Sequence, residues 1–255
     1  MDVLDHGQID LEECMGGDAV VIEAARFCYQ SVAKSPEADV RLLDHLLDEG
    51  HNTPFEHAVL RWRVQAPIFV ARQWIRHRTA NVNEYSARYS VLDREYYLPA
   101  PEHLAAQSSS NRQGRGAALS ATQAEQVLRL LREDAERCHA HYEEMLDPDG
   151  IGLARELARI DLTLATYTQW YWKIDLHNLL HFLHLRMDAH AQQEIRQYAT
   201  TIGREIVQPL FPAVWEAFAD YRLEALQLSG PDRGVIARLA AAGKLPAAED
   251  DFLAA

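Results

Sequence analysis

Between Gln73 and Tyr89 the chain reads Q-W-I-R-H-R-T-A-N-V-N-E-Y-S-A-R-Y. Arg76, Arg78 and Arg88 bring three guanidinium groups into this one stretch. His77, Asn83, Glu84 and Ser86 add further polar side chains, with Trp74, Tyr85 and Tyr89 between them. A solvated loop has no need of such a mixture. A guanidinium grips phosphate or carboxylate with two parallel hydrogen bonds. Aromatic rings and guanidinium planes also lie flat on heterocycles. These types and spacings suit a planar, anionic ligand.

A second constellation starts at Asp175 and reads D-L-H-N-L-L-H-F-L-H-L-R-M-D-A-H-A-Q-Q-E-I. On a helix, Leu176, Leu179, Leu180, Leu183 and Met187 share a core face. His177, His181, His184 and Asp188 form a polar stripe beside it. Arg186 and His190 fall one turn apart at the edge of the apolar face, where an arginine either snorkels or holds a ligand. His177 and His181 have the i, i+4 spacing of a zinc pair, but there is no H-E-x-x-H, and no nearby Cys or Glu completes a ligand set. A solvated histidine stripe and a cofactor or nucleotide site remain as alternatives.

Both clusters need a scaffold. The run A-P-I-F-V-A-R before the first cluster is apolar enough for a buried helix over Pro67 to Ile75, with Pro in its first turn. Upstream, Ala58 to Ala66 alternates apolar and polar residues and predicts a half-buried strand. Periodicity predicts helices over Asp18 to Ala33 and Asp39 to Glu49, the second closed by Gly50. Residues 1–20 are acidic and weakly patterned, and Pro54 breaks the polar segment 51–57. Tyr89 to Pro99 reads as extended. Residues 101–119 are rich in Ser, Gly, Asn and Gln and predict a mobile loop, placed to act as a lid over the nucleotide or folate. Ser120 caps a long helix to Leu146. A short helix over Ile151 to Arg159 carries Arg155 and Arg159, and Thr163 to Ile174 reads as a strand. The helix from Asp175 is expected to continue past Tyr198 toward Val207. Another helix spans Trp215 to Leu228, and residues 230–255 form a loosely held tail. The whole of 1–255 reads as a single catalytic domain.

Composition narrows the function. The chain has 255 residues, 48% hydrophobic and 25% charged, with a net charge of −13. So acidic a surface repels polynucleotides, which bind through many phosphates, but a local arginine pocket still accepts a mononucleotide. No apolar run approaches membrane-spanning length, and the N-terminus lacks the pattern of a signal peptide. The three cysteines, Cys14, Cys28 and Cys138, are scattered and fit a reducing cytoplasm better than a disulfide framework.

Taken together, the motifs resemble the flavin-dependent thymidylate synthases. That family's signature, R-H-R, seven residues, then Ser, is met by Arg76, His77, Arg78 and Ser86. Its longer form fits except at Asn81, where Ser is usual. The resemblance extends to H-x-T-P-F-E-H at 51–57, A-P-x-F-V-A-R-Q-W at 66–74, A-R at 158–159 and L-R-x-D-x-H-A-Q-x-E-I at 185–195.

The resemblance implies an α+β fold, a twisted, mainly antiparallel sheet with long helices, and a homotetramer whose active sites are shared between subunits. It implies methylation of dUMP to dTMP, with 5,10-methylenetetrahydrofolate giving the carbon, FAD the hydride and NADPH reducing the flavin. No nucleophilic cysteine is needed. The resemblance makes Arg186 and Ser86 catalytic residues and assigns dUMP to Gln73, Arg76, Glu84, Tyr85, Ser86, Arg88, Arg159 and Arg186. It assigns FAD to Thr53, Glu56, Arg76, His77, Arg78, Thr79, Glu84, Asp175, His177, His181 and His190. Relatives often carry Asn and Arg where Asp175 and His177 stand. The rivals are a flavin- or folate-dependent uracil methyltransferase acting on RNA, against which the acidic surface weighs, and a non-catalytic nucleotide-binding regulator.

Overall fold

The structure is a computed structural model that describes residues 1–28, 30, 35–109, 114–226 and 228–244. Its strands are β1 (Asp2–Val3), β2 (Gly7–Met15), β3 (Val59–Pro67), β4 (Asn81–Glu84), β5 (Ala105–Gln107), β6 (Arg115–Ala118) and β7 (Tyr167–Asp175). Among the described residues a five-stranded sheet runs β1-β2-β3-β7-β4, and every pairing in it is antiparallel. The fold is α+β, as the sequence predicts.

The alternation in β3 and β7 sorts the faces of the sheet. Leu60, Trp62 and Val64 lie on the same face as Trp170, Trp172 and Ile174, and all are buried. The opposite face carries Arg61 and Arg63, and the Arg61 guanidinium stacks over Tyr171 at 5.2 Å.

The helices are α1 (Asp18–Phe27), α2 (Pro36–Asp48), α3 (Ile68–Trp74), α4 (Ala121–Leu146), α5 (Arg155–Ala158), α6 (Leu176–Met187), α7 (Gln193–Thr201), α8 (Gln208–Leu210), α9 (Pro212–Phe218) and α10 (Gly230–Ala241). No helix of the described residues is long and apolar enough to cross a membrane. Ser120 caps α4 with a reciprocal Ser120–Gln123 capping box. Helices α3, α6 and α7 bury their apolar faces in one core with the sheet. At its centre Trp74, the last residue of α3, lies 4.8 Å from Phe182 of α6, 5.2 Å from Trp172 of β7 and 5.6 Å from Tyr198 of α7.

Some elements depart from expectation. The weakly patterned N-terminus supplies β2, which pairs along β3 and buries Ile9; across the pair Asp10 accepts from Arg63 at 2.8 Å and Glu13 from Arg61 at 3.1 Å. Cross-strand pairing of this kind leaves little hydrophobic signature. The helix expected from Asp175 to beyond Tyr198 is broken over residues 188–192. The Asp188 carboxylate accepts the backbone N–H of His190 at 2.7 Å, a local bond that competes with helix continuation. His190 is therefore not one helical turn from Arg186.

Below the break, Ile202–Val207 is a π-helix, and α9 gives way to a second π segment at Ala219–Leu223. The stretch expected as a loop over 101–119 carries the β5–β6 hairpin, with residues 110–113 outside the described residues. Of the expected tail, α10 has no buried side chain, and residues 245–255 lie outside the described residues.

Trp74→Ala should cost about 3–5 kcal/mol of stability in urea unfolding, the usual range for removing a buried large aromatic. A loss near zero would show that Trp74 does not hold α3 against α6.

Candidate active site

Packing around Trp74 places the residues that follow α3 beside the last turn of α6. There Arg186 Nε donates to His77 Nε2 at 3.0 Å. That bond needs a bare Nε2, so His77 is neutral with its proton on Nδ1. Its surroundings agree: burial first, then the charge of Arg186 and the neighbouring His181, push the imidazole down to about 4. His77 is wedged edge-on against Phe182, with ring centroids 4.9 Å apart. Burial also lowers the Arg186 guanidinium from its ordinary value, yet an arginine keeps its charge in proteins, and one of its five donors is used on His77.

These groups border a cleft of about 290 Å³, lined by Arg76, His77, Arg78, Thr79, His181 and Arg186, with Asn178 beside them. It holds three guanidinium groups, and among the described residues no carboxylate lines it. Such a cleft attracts anions, most strongly beside the half-buried His77 and Arg186.

On the far side of His181 lies a smaller cleft of about 80 Å³ with His177, His184, Asn52, Phe55 and Arg222. Burial, then His177 and His184, lower the His181 imidazole. Among the described residues no three His, Cys, Asp or Glu side chains are placed to hold a metal ion.

The remaining half of the arginine-rich stretch faces elsewhere. Glu84 ends β4 and accepts from Thr168 Oγ1 at 2.8 Å. It lines, with Asn83, Tyr85, Arg63, Gln169 and Tyr171, a separate cleft of about 330 Å³. Ser86 Oγ accepts the backbone N–H of Arg88 at 3.3 Å. The Arg88 guanidinium lies 3.6 Å from Glu156 of α5, and Arg159 directly follows α5. Arg88, Glu156 and Arg159 are all exposed. One chain thus holds two groups: Arg76, His77, Arg78, Thr79, His181 and Arg186 around the first cleft, and Glu84, Tyr85, Ser86, Arg88 and Arg159 around β4 and α5.

Several expected residues sit apart from the first cleft. The Asp175 carboxylate caps α6, accepting from Asn178 N at 2.9 Å and from Asn178 Nδ2 at 2.8 and 3.0 Å. Thr53 and Glu56 are exposed on a single 3-10 turn. His190 lies past the end of α6, its Nδ1 2.9 Å from Asp188, with 82% of its side chain exposed. Asn81 pairs in register with Lys173 on the exposed edge of β4. Sequence reasoning missed Asn178 and Leu185 in the first cleft. Their spacing from His181, three back and four on, was the available signal.

The chain matches the family model described as thymidylate synthase complementing protein over residues 10–213. It is 56% identical over 237 residues to a flavin-dependent thymidylate synthase of Gluconobacter oxydans (strain 621H), covering 93% of this chain and 78% of that one. A flavin-dependent thymidylate synthase of Ruegeria pomeroyi is 57% identical over 228 residues, 89% of this chain and 75% of that one. Among solved structures, the UMP/dUMP methylase PolB from Streptomyces cacaoi bound with 5-Br dUMP superposes with a TM-score of 0.77 at 29% identity, covering 88% of this chain and 99% of that one.

The neutral His77 has a pH consequence. Unfolded, the ring takes up a proton near 6.5; folded, it stays neutral down to about 4. Between those values the unfolded state binds more protons, so this group lowers stability as pH falls below 6.5 and leaves it unchanged above. His77→Gln should shrink the difference between urea midpoints measured at about pH 7.5 and about pH 5. An undiminished difference would contradict a neutral buried ring.

Proposed function

This chain belongs to the flavin-dependent thymidylate synthase family, and we propose that it carries out reductive methylation of dUMP to dTMP in the cleft around Arg186. The observation that carries this assignment is the cationic, carboxylate-free lining of that cleft, with Arg186 fixed by a neutral histidine. Arginines suit a ligand diphosphate and a nucleotide phosphate, and the flat rings of His77 and His181 suit a heterocycle.

Arg76, His77, Arg78, Thr79 and His181 would hold FAD there, with Thr53, Glu56, Glu84, Asp175, His177 and His190 as further contacts. When bound, FAD supplies the hydride, NADPH its electrons and 5,10-methylenetetrahydrofolate the carbon. Arg186 lies against the O2/N3 edge of uracil, where its cation stabilises negative charge developing on the ring as C6 is attacked. His77 holds Arg186 by its Nε and leaves the outer guanidinium nitrogens for the substrate. Arg76, Arg88 and Arg159 take the phosphate and ribose, and Gln73, Glu84, Tyr85 and Ser86 complete the nucleotide contacts. None of Cys14, Cys28 and Cys138 lines the cleft, in keeping with activation by placement and charge.

At about 290 Å³ the Arg186 cleft falls at the low end of the roughly 300–1,000 Å³ usual for a single small ligand. Two ligands need more wall. The second group, with half-buried Ser86 and exposed Arg88 and Arg159, lies around β4 and α5. We place it in the site of a neighbouring subunit, within a homotetramer in the cytoplasm.

Arg186→Ala should lower turnover about 100-fold or more, the scale for losing an oriented charge at a reacting centre, while FAD stays bound. Unchanged turnover would remove Arg186 from the chemistry. Ser86→Ala should lose less activity than Arg186→Ala. Total inactivation with intact dUMP binding would give Ser86 a larger part. With UMP offered beside dUMP, product should form from dUMP; equal turnover of UMP would favour the ribonucleotide specificity that the name of the Streptomyces enzyme includes.

Site sharing has its own test. Inactive Arg186→Ala and Arg88→Ala proteins, mixed after gentle dissociation and reassociation, should regain activity, because some mixed sites receive both arginines. No recovery would place both arginines in one subunit's site.

A further inference from the structure

Glu194, on α7, is a charge sealed into the protein, 3% exposed. Arg115 of the β5–β6 hairpin meets it at 2.6 Å and also donates to Gln193 Oε1 at 2.8 Å and to the His103 carbonyl at 3.1 Å. Tyr97 Oη donates to the same Glu194 oxygen at 3.2 Å, and the other oxygen accepts from Gln192 Nε2 at 2.9 Å. Burial raises the Glu194 carboxyl, but the bonds from Arg115, the backbone and Gln192 outweigh it and hold the group below its ordinary value. The carboxylate is therefore an anion with donors on both oxygens.

An ionised carboxylate only accepts hydrogen bonds. Gln192 must turn its NH2 toward Glu194, and its carbonyl oxygen then faces the other way. Gln73 Nε2 donates to that oxygen. The order of donors and acceptors is thus imposed from the buried end outward, and two amides that X-ray scattering would scarcely orient are oriented by chemistry. Gln73 Oε1 is left with no protein donor among the described residues. Gln73 sits at the end of α3, where its backbone carbonyl accepts the N–H of Arg76. Gln192 and Arg186 flank the same short turn between α6 and α7.

We propose that Glu194 and Gln192 are positioning residues that hold the Gln73 amide with its carbonyl oxygen toward the nucleotide, where it accepts from a sugar hydroxyl rather than donating to phosphate. This rests on Gln73 being a dUMP contact. The Arg115 hairpin, by neutralising Glu194, is the outer anchor of the same chain of bonds. A Gln73 held in this polarity selects for a ligand donor, and the selection is made before the ligand arrives.

The experiment is a double-mutant cycle on the FAD-loaded enzyme, with dUMP affinity read by calorimetry. Gln73→Ala should weaken dUMP about tenfold, the scale of one oriented hydrogen bond. Gln192→Ala, at an exposed position that leaves the core intact, should weaken dUMP by a comparable factor. In the Gln73→Ala background it should add nothing. Glu194→Gln, which no longer dictates donor order, should also weaken dUMP, and again only when Gln73 is present. In every variant FAD affinity should be unchanged, and the KM for dUMP should rise more than kcat falls.

An unchanged affinity in Gln192→Ala overturns the proposal, as does a loss that persists undiminished without Gln73, which is what a general loosening of α7 would give. If Gln73→Ala itself binds dUMP normally while Arg186→Ala is inactive, the assignment of Gln73 to the nucleotide fails and the proposal falls with it, but the Arg186 site stands.

Discussion

The packing of Trp74 fixes everything that follows it in the chain. Its ring meets Trp170, Trp172, Phe182 and Tyr198, contributed by β7, α6 and α7. A buried aromatic of this size excludes water from a large area and accepts few alternative neighbours. Two residues past it the chain leaves the core, and within the next turn it must present Arg76, His77 and Arg78. Because Phe182 touches both Trp74 and His77, the end of α6 cannot shift against the arginine-rich stretch without opening the core. A hydrogen bond between residues 109 apart in sequence, Arg186 to His77, is thereby held by hydrophobic packing.

Around that anchor, charge is placed by forcing protonation states. Burial keeps His77 neutral, so it can accept from a cation it would otherwise repel. Burial pushes the Glu194 carboxyl up, but Arg115, the backbone and Gln192 outweigh it and hold the group below its ordinary value. One residue is an acceptor because it lacks a proton it would usually gain, the other because its donors outweigh desolvation. Each sets the direction of the bonds beyond it, His77 at Arg186 in the cleft and Glu194 through Gln192 at Gln73. Neither side chain would need to move when an anion arrives, which is the condition for preorganised electrostatics.

Much of this was legible in the chain. Alternation over Val59 to Val64 gave the strand and its faces, the apolar run before Gln73 gave α3, and Ser120 marked the start of α4. The cluster 76–79 and Arg186 were both expected at one ligand site, and one cleft is lined by both. What escaped were features decided by partners remote in sequence. β2 depends on its ladder with β3, across which Asp10 and Glu13 meet Arg63 and Arg61. The break at Asp188 depends on one side chain capturing a backbone N–H two residues on, a local contest that a helical period conceals. Arg115 looked like one residue of a polar loop, and only the buried Glu194 gives it a place. Separation of the arginine-rich stretch into two clefts follows from β4 pairing with β7, a long-range contact that carries Glu84 and Arg88 away from Arg186.

The measurement closest to the central claim is an absorbance spectrum of the purified protein with FAD under anaerobic conditions, before and after NADPH, with and without dUMP. A site built around Arg186 to take both ligands predicts flavin bands that bleach with NADPH at a rate that changes when dUMP is present. A protein that takes up no flavin, or whose bleaching ignores dUMP, would contradict a shared cleft.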